Sequence, residues 1–194
     1  FGILRPGDEL LSVTGAPYDT MQTVIGYAHP CSGSLKEFGV RYNEVALCAG
    51  KIDFSALRKA VTRQTKVALL QRSRGYSLRP PLTLDDISQA CQIIKAINPN
   101  CICFVDNCYG EFVDTREPTE AGADVIAGSL IKNPGGGITP TGGYIAGKAS
   151  LVESASHRLT APGIGSELGA SLANNRLLFE GVFLAPHVVS QALK

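Results

Sequence analysis

Apolar positions along this chain fall into short unbroken runs separated by stretches with helical spacing. Residues 66–70, Lys-Val-Ala-Leu-Leu, form the first clear run, as expected for a strand covered on both faces of a parallel sheet. Residues 101–105 and 123–128 repeat that pattern, while residues 9–14, 41–47 and 144–147 read as three further short strands. Between them lie helical patterns. Residues 18–27 form one, and residues 54–61 another, with Phe54, Leu57 and Val61 about a turn apart behind Asp53 as N-cap. The strongest opens at Thr83, with Asp86 as its capping-box partner, and carries Ile87, Ala90, Cys91, Ile94 and Ile97 on one stripe. Asn98-Pro99-Asn100 stops it. Residues 149–159 give a fourth helix, and after the Pro162-Gly163 turn the helical pattern resumes to the chain end.

Strands alternating with helices at this spacing predict an α/β fold, a three-layer α/β/α sandwich around a mainly parallel sheet. Ligands of such sheets gather beyond the carboxyl ends of the strands. Residues 71–76, 106–109 and 129–137 all fall at that edge, which concentrates the candidate chemistry there.

Composition narrows the picture. With 194 residues and a net charge of +1, the chain suits one sizeable core and offers no basic stripe for a nucleic-acid partner. No apolar run reaches membrane-span length, and no signal peptide is legible, so a cytoplasmic protein is expected. The six cysteines have no metal-ligand spacing, and no metal site is expected. They read as buried reduced thiols, with Cys101 and Cys103 expected on opposite faces of one strand. The chain starts at Phe1 rather than methionine, in what reads as a helix end, and stops inside another helical pattern. It is expected to be the middle of a longer protein.

Two chemistries compete for the strand-end cluster. Gly142 to Lys148 matches the glycine and lysine spacing of a phosphate loop, and Asp106 could then hold magnesium. That reading lacks the hydroxyl after the lysine, where Ala149 stands, and Tyr144-Ile145-Ala146 has strand character instead of a nest of small residues. The other reading pairs Asp106 with Lys132, the latter delivered by an apolar run into the turn Asn133-Pro134-Gly135-Gly136-Gly137. A lysine can form a Schiff base with the aldehyde of pyridoxal phosphate, and a carboxylate keeps the ring nitrogen protonated. The lysine must be partly neutral to attack, which desolvation and a cationic ring would promote. Blander roles exist for each residue: Lys132 as a surface turn residue, Asp106 as an N-cap, Tyr109 as a core aromatic, Ser129 as a turn former.

Asp106-Asn107-Cys108-Tyr109 resembles the aspartate-x-x-tyrosine motif of fold-type-I pyridoxal phosphate enzymes, and Ser129-Leu130-Ile131-Lys132 their serine-x-x-lysine motif. The longer run from Phe104 to Phe112 and from Gly122 to Gly137 resembles the methionine gamma-lyase-like family, also labelled aluminium resistance protein. Thr160 to Gly165 and Phe183 to His187 continue the likeness.

The resemblance implies that residues 1–194 are a partial cofactor-binding large domain, truncated at both ends, with 180–194 leading into a C-terminal small domain. It implies that Lys132 holds pyridoxal 5'-phosphate as an aldimine and then acts as base at the substrate α-carbon. Asp106 would pair with the ring nitrogen, Tyr109 would approach the ring hydroxyl, and Ser129 would contact the phosphate. Gln71, Arg72 and Arg74 are weaker candidates for the substrate edge, with solvated or structural roles as the alternative. The glycine run would permit close backbone approach to the cofactor. The phosphate-cradling loop and ring-stacking aromatic would lie upstream, and the arginine clamping the substrate carboxylate downstream. The implied activity is carbon-sulfur lyase chemistry on a sulfur-containing amino acid, in a homodimer or dimer of dimers. Aminotransferase, desulfurase or racemase chemistry would use the same residues, and a non-catalytic α/β fragment serving binding or assembly is the rival of another class.

Overall fold

The computed structural model describes residues 1–167 and 174–194. The part of the last helical pattern that falls on residues 168–173 lies outside them. Six strands form one sheet: β1 (Glu9–Ser12), β2 (Arg41–Glu44), β3 (Thr65–Gln71), β4 (Ile102–Asp106), β5 (Val125–Ser129) and β6 (Gly143–Gly147). Their spatial order is β2-β1-β3-β4-β5-β6, parallel throughout except for β6, which runs antiparallel to β5 at the edge. The helices are α1 (Asp19–Ile25), α2 (Phe54–Ala60), α3 (Leu84–Ile97), α4 (Ala149–Leu159) and α5 (Asn175–Ala192). Every expected strand and helix is present among the described residues except the helix end expected at the chain start. Residues 1–4 are not helical. Arg5 precedes Pro6, a position that disfavours helix, and its guanidinium gathers the carbonyls of Gly2 and Leu4 at 3.0 and 2.9 Å.

Local chemistry accounts for the helix starts. Asp53 accepts from the amides of Ser55 and Ala56 at 2.9 and 2.8 Å and so caps α2. Thr83 and Asp86 exchange backbone and side-chain bonds in a complete capping box at α3. Each such cap is worth about 1 kcal/mol.

The sheet divides two apolar cores by strict alternation along the strands. Ala68 and Leu70 of β3 face α2 and α3, meeting Leu57, Ile87 and Ile94, while Val67 and Leu69 face the other side with Ile25 of α1. Full burial of each such Leu or Ile stabilises by about 1.5–3 kcal/mol. Cys101 and Cys103 both lie in the first core, on the same face, because residues two apart in a strand point the same way. The opposite-face expectation was therefore incorrect. Cys91, Cys101 and Cys103 are buried free thiols, whereas Cys31 and Cys48 are exposed.

Parallel pairing aligns the carboxyl ends of the central strands: Gln71 lies beside Asp106, and Asp106 beside Ala127, two residues before Ser129. The glycine run after Lys132 serves helix packing. A Cβ on Gly136 would stand 2.5 Å from the Gly181 carbonyl, and one on Gly181 would stand 2.6 Å from the Gly135 carbonyl. These glycines let α5 settle on the turn, and Gly136 needs its left-handed φ of 55° as well. Among the described residues no helix is long and apolar enough to cross a membrane.

Candidate active site

The central strands do not stop at their last ladder residue. Arg72 donates its amide to the Asp106 carbonyl at 3.0 Å, and Asn107 donates its own to Ala127 at 2.8 Å. These bonds carry the sheet register into the loops. Asp106 is thereby fixed at the end of β4, half-buried, with Oδ1 accepting the Cys108 amide at 3.1 Å.

Lys132 sits just past β5. Its amide donates to Ser129 and its carbonyl accepts from Gly135, so it opens the single 3-10 turn Asn133–Gly135. Its Nζ stands 4.7 Å from the centroid of the Tyr109 ring. The half-buried Cys108 thiol lies near both Asp106 and Lys132. Burial pushes that thiol up, the Asp106 carboxylate adds to the rise, and Lys132 opposes it. For Lys132, burial favours the neutral amine, but the neighbouring Cys108, Tyr109 and Asp106 side chains outweigh it and hold the ammonium above the usual lysine range. The residues of this chain alone therefore do not make the lysine neutral. They define a pocket that gathers a carboxylate, an amine, a thiol and a phenol.

That pocket was tested against pyridoxal phosphate by its donor set. A carboxylate at one strand end can accept a ring N–H, and an amine just past the next can meet an aldehyde. The residues fit the group.

The loop carrying Tyr109 is strained. Tyr109 and Phe112 have φ values of 66° and 61°, in the left-handed region that non-glycine residues enter at about 1–3 kcal/mol each. Arg72 helps hold them there. It is only 4% exposed, and its guanidinium donates to Asn107 Oδ1 at 2.9 Å, the Gly110 carbonyl at 3.1 Å and Asp114 at 2.5 Å. Strain of this kind, held by surrounding contacts, gathers at functional sites.

The expected site residues thus divide. Asp106, Tyr109 and Lys132 come together, with Ser129 on the same edge and Tyr109 59% exposed. Gln71 and Arg72 turn inward. Gln71 Oε1 accepts the Tyr18 amide at 2.6 Å, and its Nε2 donates to the Ser73 carbonyl at 3.1 Å. Their polar groups are committed within the chain, and Arg74 is the exposed member of the three.

Several residues not singled out from the sequence join the site. Cys108 is one. Tyr18 and Tyr76 form another contribution, with hydroxyls 3.1 Å apart and rings 5.5 Å apart at the Gln71 edge. The Tyr18 hydroxyl is pushed up to about 12 by its bond to Tyr76, then by the charges of Asp19 and others including Tyr109. Asn107, Glu111 and Tyr144 form a buried polar group behind Asp106. Only their separation in sequence hid them.

The phosphate-loop reading does not survive. Gly143–Gly147 is the antiparallel edge strand β6, so no nest of amides forms there. Lys148 is paired with Asp124 at 2.6 Å.

Architecture and donor set together define an α/β sandwich of the fold-type-I pyridoxal phosphate class. The family model described as methionine gamma-lyase matches residues 1–194, and the chain belongs to that family. The uncharacterized protein YnbB of Bacillus subtilis is 54% identical over 196 residues, covering 100% of this chain and 47% of its own length. A solved Listeria innocua structure, provisionally named a cystathionine beta-lyase involved in aluminum resistance, shares 55% identity at a TM-score of 0.94. It covers 98% of this chain and 47% of the other. The structure of a carbon-sulfur lyase involved in aluminum resistance from Clostridium novyi NT shares 48% identity at 0.93, covering 99% and 46%. The pyridoxal-5'-phosphate dependent protein YhfS of Escherichia coli, at 21% identity and 0.69, shows the fold alone, over 98% of this chain and 46% of its own. The chain spans about half the length of the curated relatives it matches.

Proposed function

We propose that the protein containing this chain is a pyridoxal-phosphate-dependent carbon-sulfur lyase acting on a sulfur-containing amino acid. One observation carries the reading: a carboxylate and an amine, Asp106 and Lys132, stand at the ends of adjacent parallel strands. Family membership and the lyase names of close relatives support it.

When bound, pyridoxal phosphate supplies the electron sink for the negative charge left at the substrate α-carbon. Asp106 accepts the ring N–H and keeps that proton in place. Lys132 Nζ is the attachment point and, once released, the base that takes the α-proton. Ser129 offers its hydroxyl to the phosphate, and Tyr109 offers its phenol to the ring edge. Tyr18 and Tyr76 offer an exposed aromatic face at the same edge. Arg74 is the exposed cation available to a substrate carboxylate on this chain. A homodimer or dimer of dimers belongs to the same proposal, because the family resemblance implies it.

Other amino-acid chemistries would start from the same Asp106 and Lys132, since fold and cofactor leave the outcome open. A product assay on the full-length protein separates them. Incubation with cofactor and cystathionine, methionine or cysteine should release a thiol or sulfide together with a 2-keto acid. Transfer of the amino group without sulfur release would overturn the lyase assignment.

A further inference from the structure

Behind Asp106 lies a carboxyl group with no place in the chemistry above. Glu111 is 4% exposed. Its Oε1 accepts the Tyr144 hydroxyl at 2.7 Å, while its Oε2 is buried without a hydrogen-bond partner. Its backbone carbonyl accepts Asn133 Nδ2 at 2.9 Å, and Asn133 is the residue after Lys132. On the other side of Lys132, Gly128 has no Cβ because one would stand 2.5 Å from the Tyr144 ring and press into Glu111 Oε1. Glu111 therefore touches the Lys132 segment both before and after the lysine. It also lies between Tyr109 and Phe112 in the strained loop, directly before the latter.

The surroundings bear on its protonation. Asn107 Nδ2 donates to the Tyr144 hydroxyl at 3.1 Å and to Glu117 at 2.8 Å. Arg72, the buried cation of this loop, is spent on Asn107, Gly110 and Asp114. The carboxylates of Glu117 and Asp106 bear on Glu111, and no cation donates to its carboxyl among the described residues. An ionised Glu111 would leave a buried anionic oxygen unpartnered next to two like charges, which proteins avoid. The neutral acid leaves its carbonyl oxygen to Tyr144. Burial pushes the carboxyl up, the Tyr144 hydroxyl and its own backbone N–H pull it down, and the two neighbouring carboxylates add to the rise.

We infer that Glu111, clamped by Tyr144 through its carboxyl and tied to Asn133 through its backbone carbonyl, is a positioning residue that holds the Lys132 turn in register with Asp106. The inference rests on the cofactor reading above. It gives the β4 loop and the β5 turn a joint that acts through buried hydrogen bonds. Oε1 of a glutamine accepts from Tyr144 just as the neutral acid does, so Glu111→Gln should preserve the joint. Tyr144→Phe removes the donor, and Asn133→Ala cuts the tie to the lysine.

The experiment uses the full-length protein loaded with pyridoxal phosphate. Its readouts are the cofactor dissociation constant, the pH midpoint of the visible absorbance change at the lysine linkage, and the melting temperature of cofactor-free protein. Tyr144→Phe and Asn133→Ala should each weaken cofactor retention about tenfold, the scale of a buried acceptor losing its donor or a donor its acceptor. Both should move the absorbance midpoint. Glu111→Gln should stay within about twofold of wild type in both readouts, the margin left by an isosteric replacement. Glu111→Gln as weak as Tyr144→Phe would overturn the inference by showing that the charge is needed. Wild-type retention and midpoint in all three variants would overturn it by showing that Glu111 only packs. If Tyr144→Phe melts too low to load, the contrast between Glu111→Gln and Asn133→Ala makes the same decision. A wild-type protein with no visible band would instead sink the cofactor reading.

Discussion

The two ends of strands β4 and β5 carry the same chemistry in opposite states. At the starting end, Asp124 is buried and fully satisfied. Lys95 and Lys148 each reach one of its oxygens at 2.6 Å, and the Cys103 amide donates to it at 2.8 Å. At the finishing end, Asp106 and Lys132 lie near Cys108 with no ion pair between them, beside a loop with two left-handed non-glycine residues. The first cluster closes on itself and ties α3, β4, β5 and the end of β6 together. The second keeps polar groups available under strain. A lysine–carboxylate cluster is thus no sign of function by itself. What separates structure from site is whether the charges are used up.

Substitutions can break that contrast. The largest stability effect is expected at Arg72, because its guanidinium pins the strained loop at three acceptors. Arg72→Met should cost about 3 kcal/mol by leaving the Asn107 and Gly110 oxygens short of a donor. Chemical denaturation measures this, and a loss under about 1 kcal/mol would show that the loop holds itself.

Asp124→Asn comes next, at about 2 kcal/mol, from one lost buried charge whose lysine partners remain partly solvated. Burial pushes the Asp124 carboxyl up, but Lys148, Lys95 and the Cys103 amide outweigh it and hold it below its ordinary value. A depressed carboxyl contributes stability that is present above its unfolded pKa, about 3.9, and lost as pH falls through the lower folded value. Melting curves of wild type should therefore drop in that acid window, and those of Asp124→Asn should lack this part of the drop. Identical acid profiles would contradict the paired-carboxylate account. The smallest effect belongs to Lys148→Ala, under about 1 kcal/mol, because that side chain is 64% exposed.

Much of the fold was legible because periodicity reports burial directly. The unbroken run at 66–70 became β3 between two cores, and the Thr83–Asp86 pattern became a complete capping box. The direction of β6 was not legible. Tyr144 to Gly147 read as a strand, but its antiparallel course is set by the turn packed on α5 through Gly136 and Gly181. In the site, Asp106 and Lys132 stood out because each ends an apolar run. Arg72 read as a loop donor, although its acceptors lie 35 to 42 residues away. Tyr144 and Glu111 are 33 residues apart and meet only once β6 closes the edge. Contacts that depend on sheet order leave no local pattern.

The most direct measurement is borohydride reduction of the full-length protein with pyridoxal phosphate, followed by mass mapping of the modified peptide. The pyridoxyl mass should sit on Lys132, persist in Lys148→Ala and vanish in Lys132→Ala. Labelling that survives Lys132→Ala, or that maps to Lys95 or Lys148, would contradict the assignment of the open cluster as the active site.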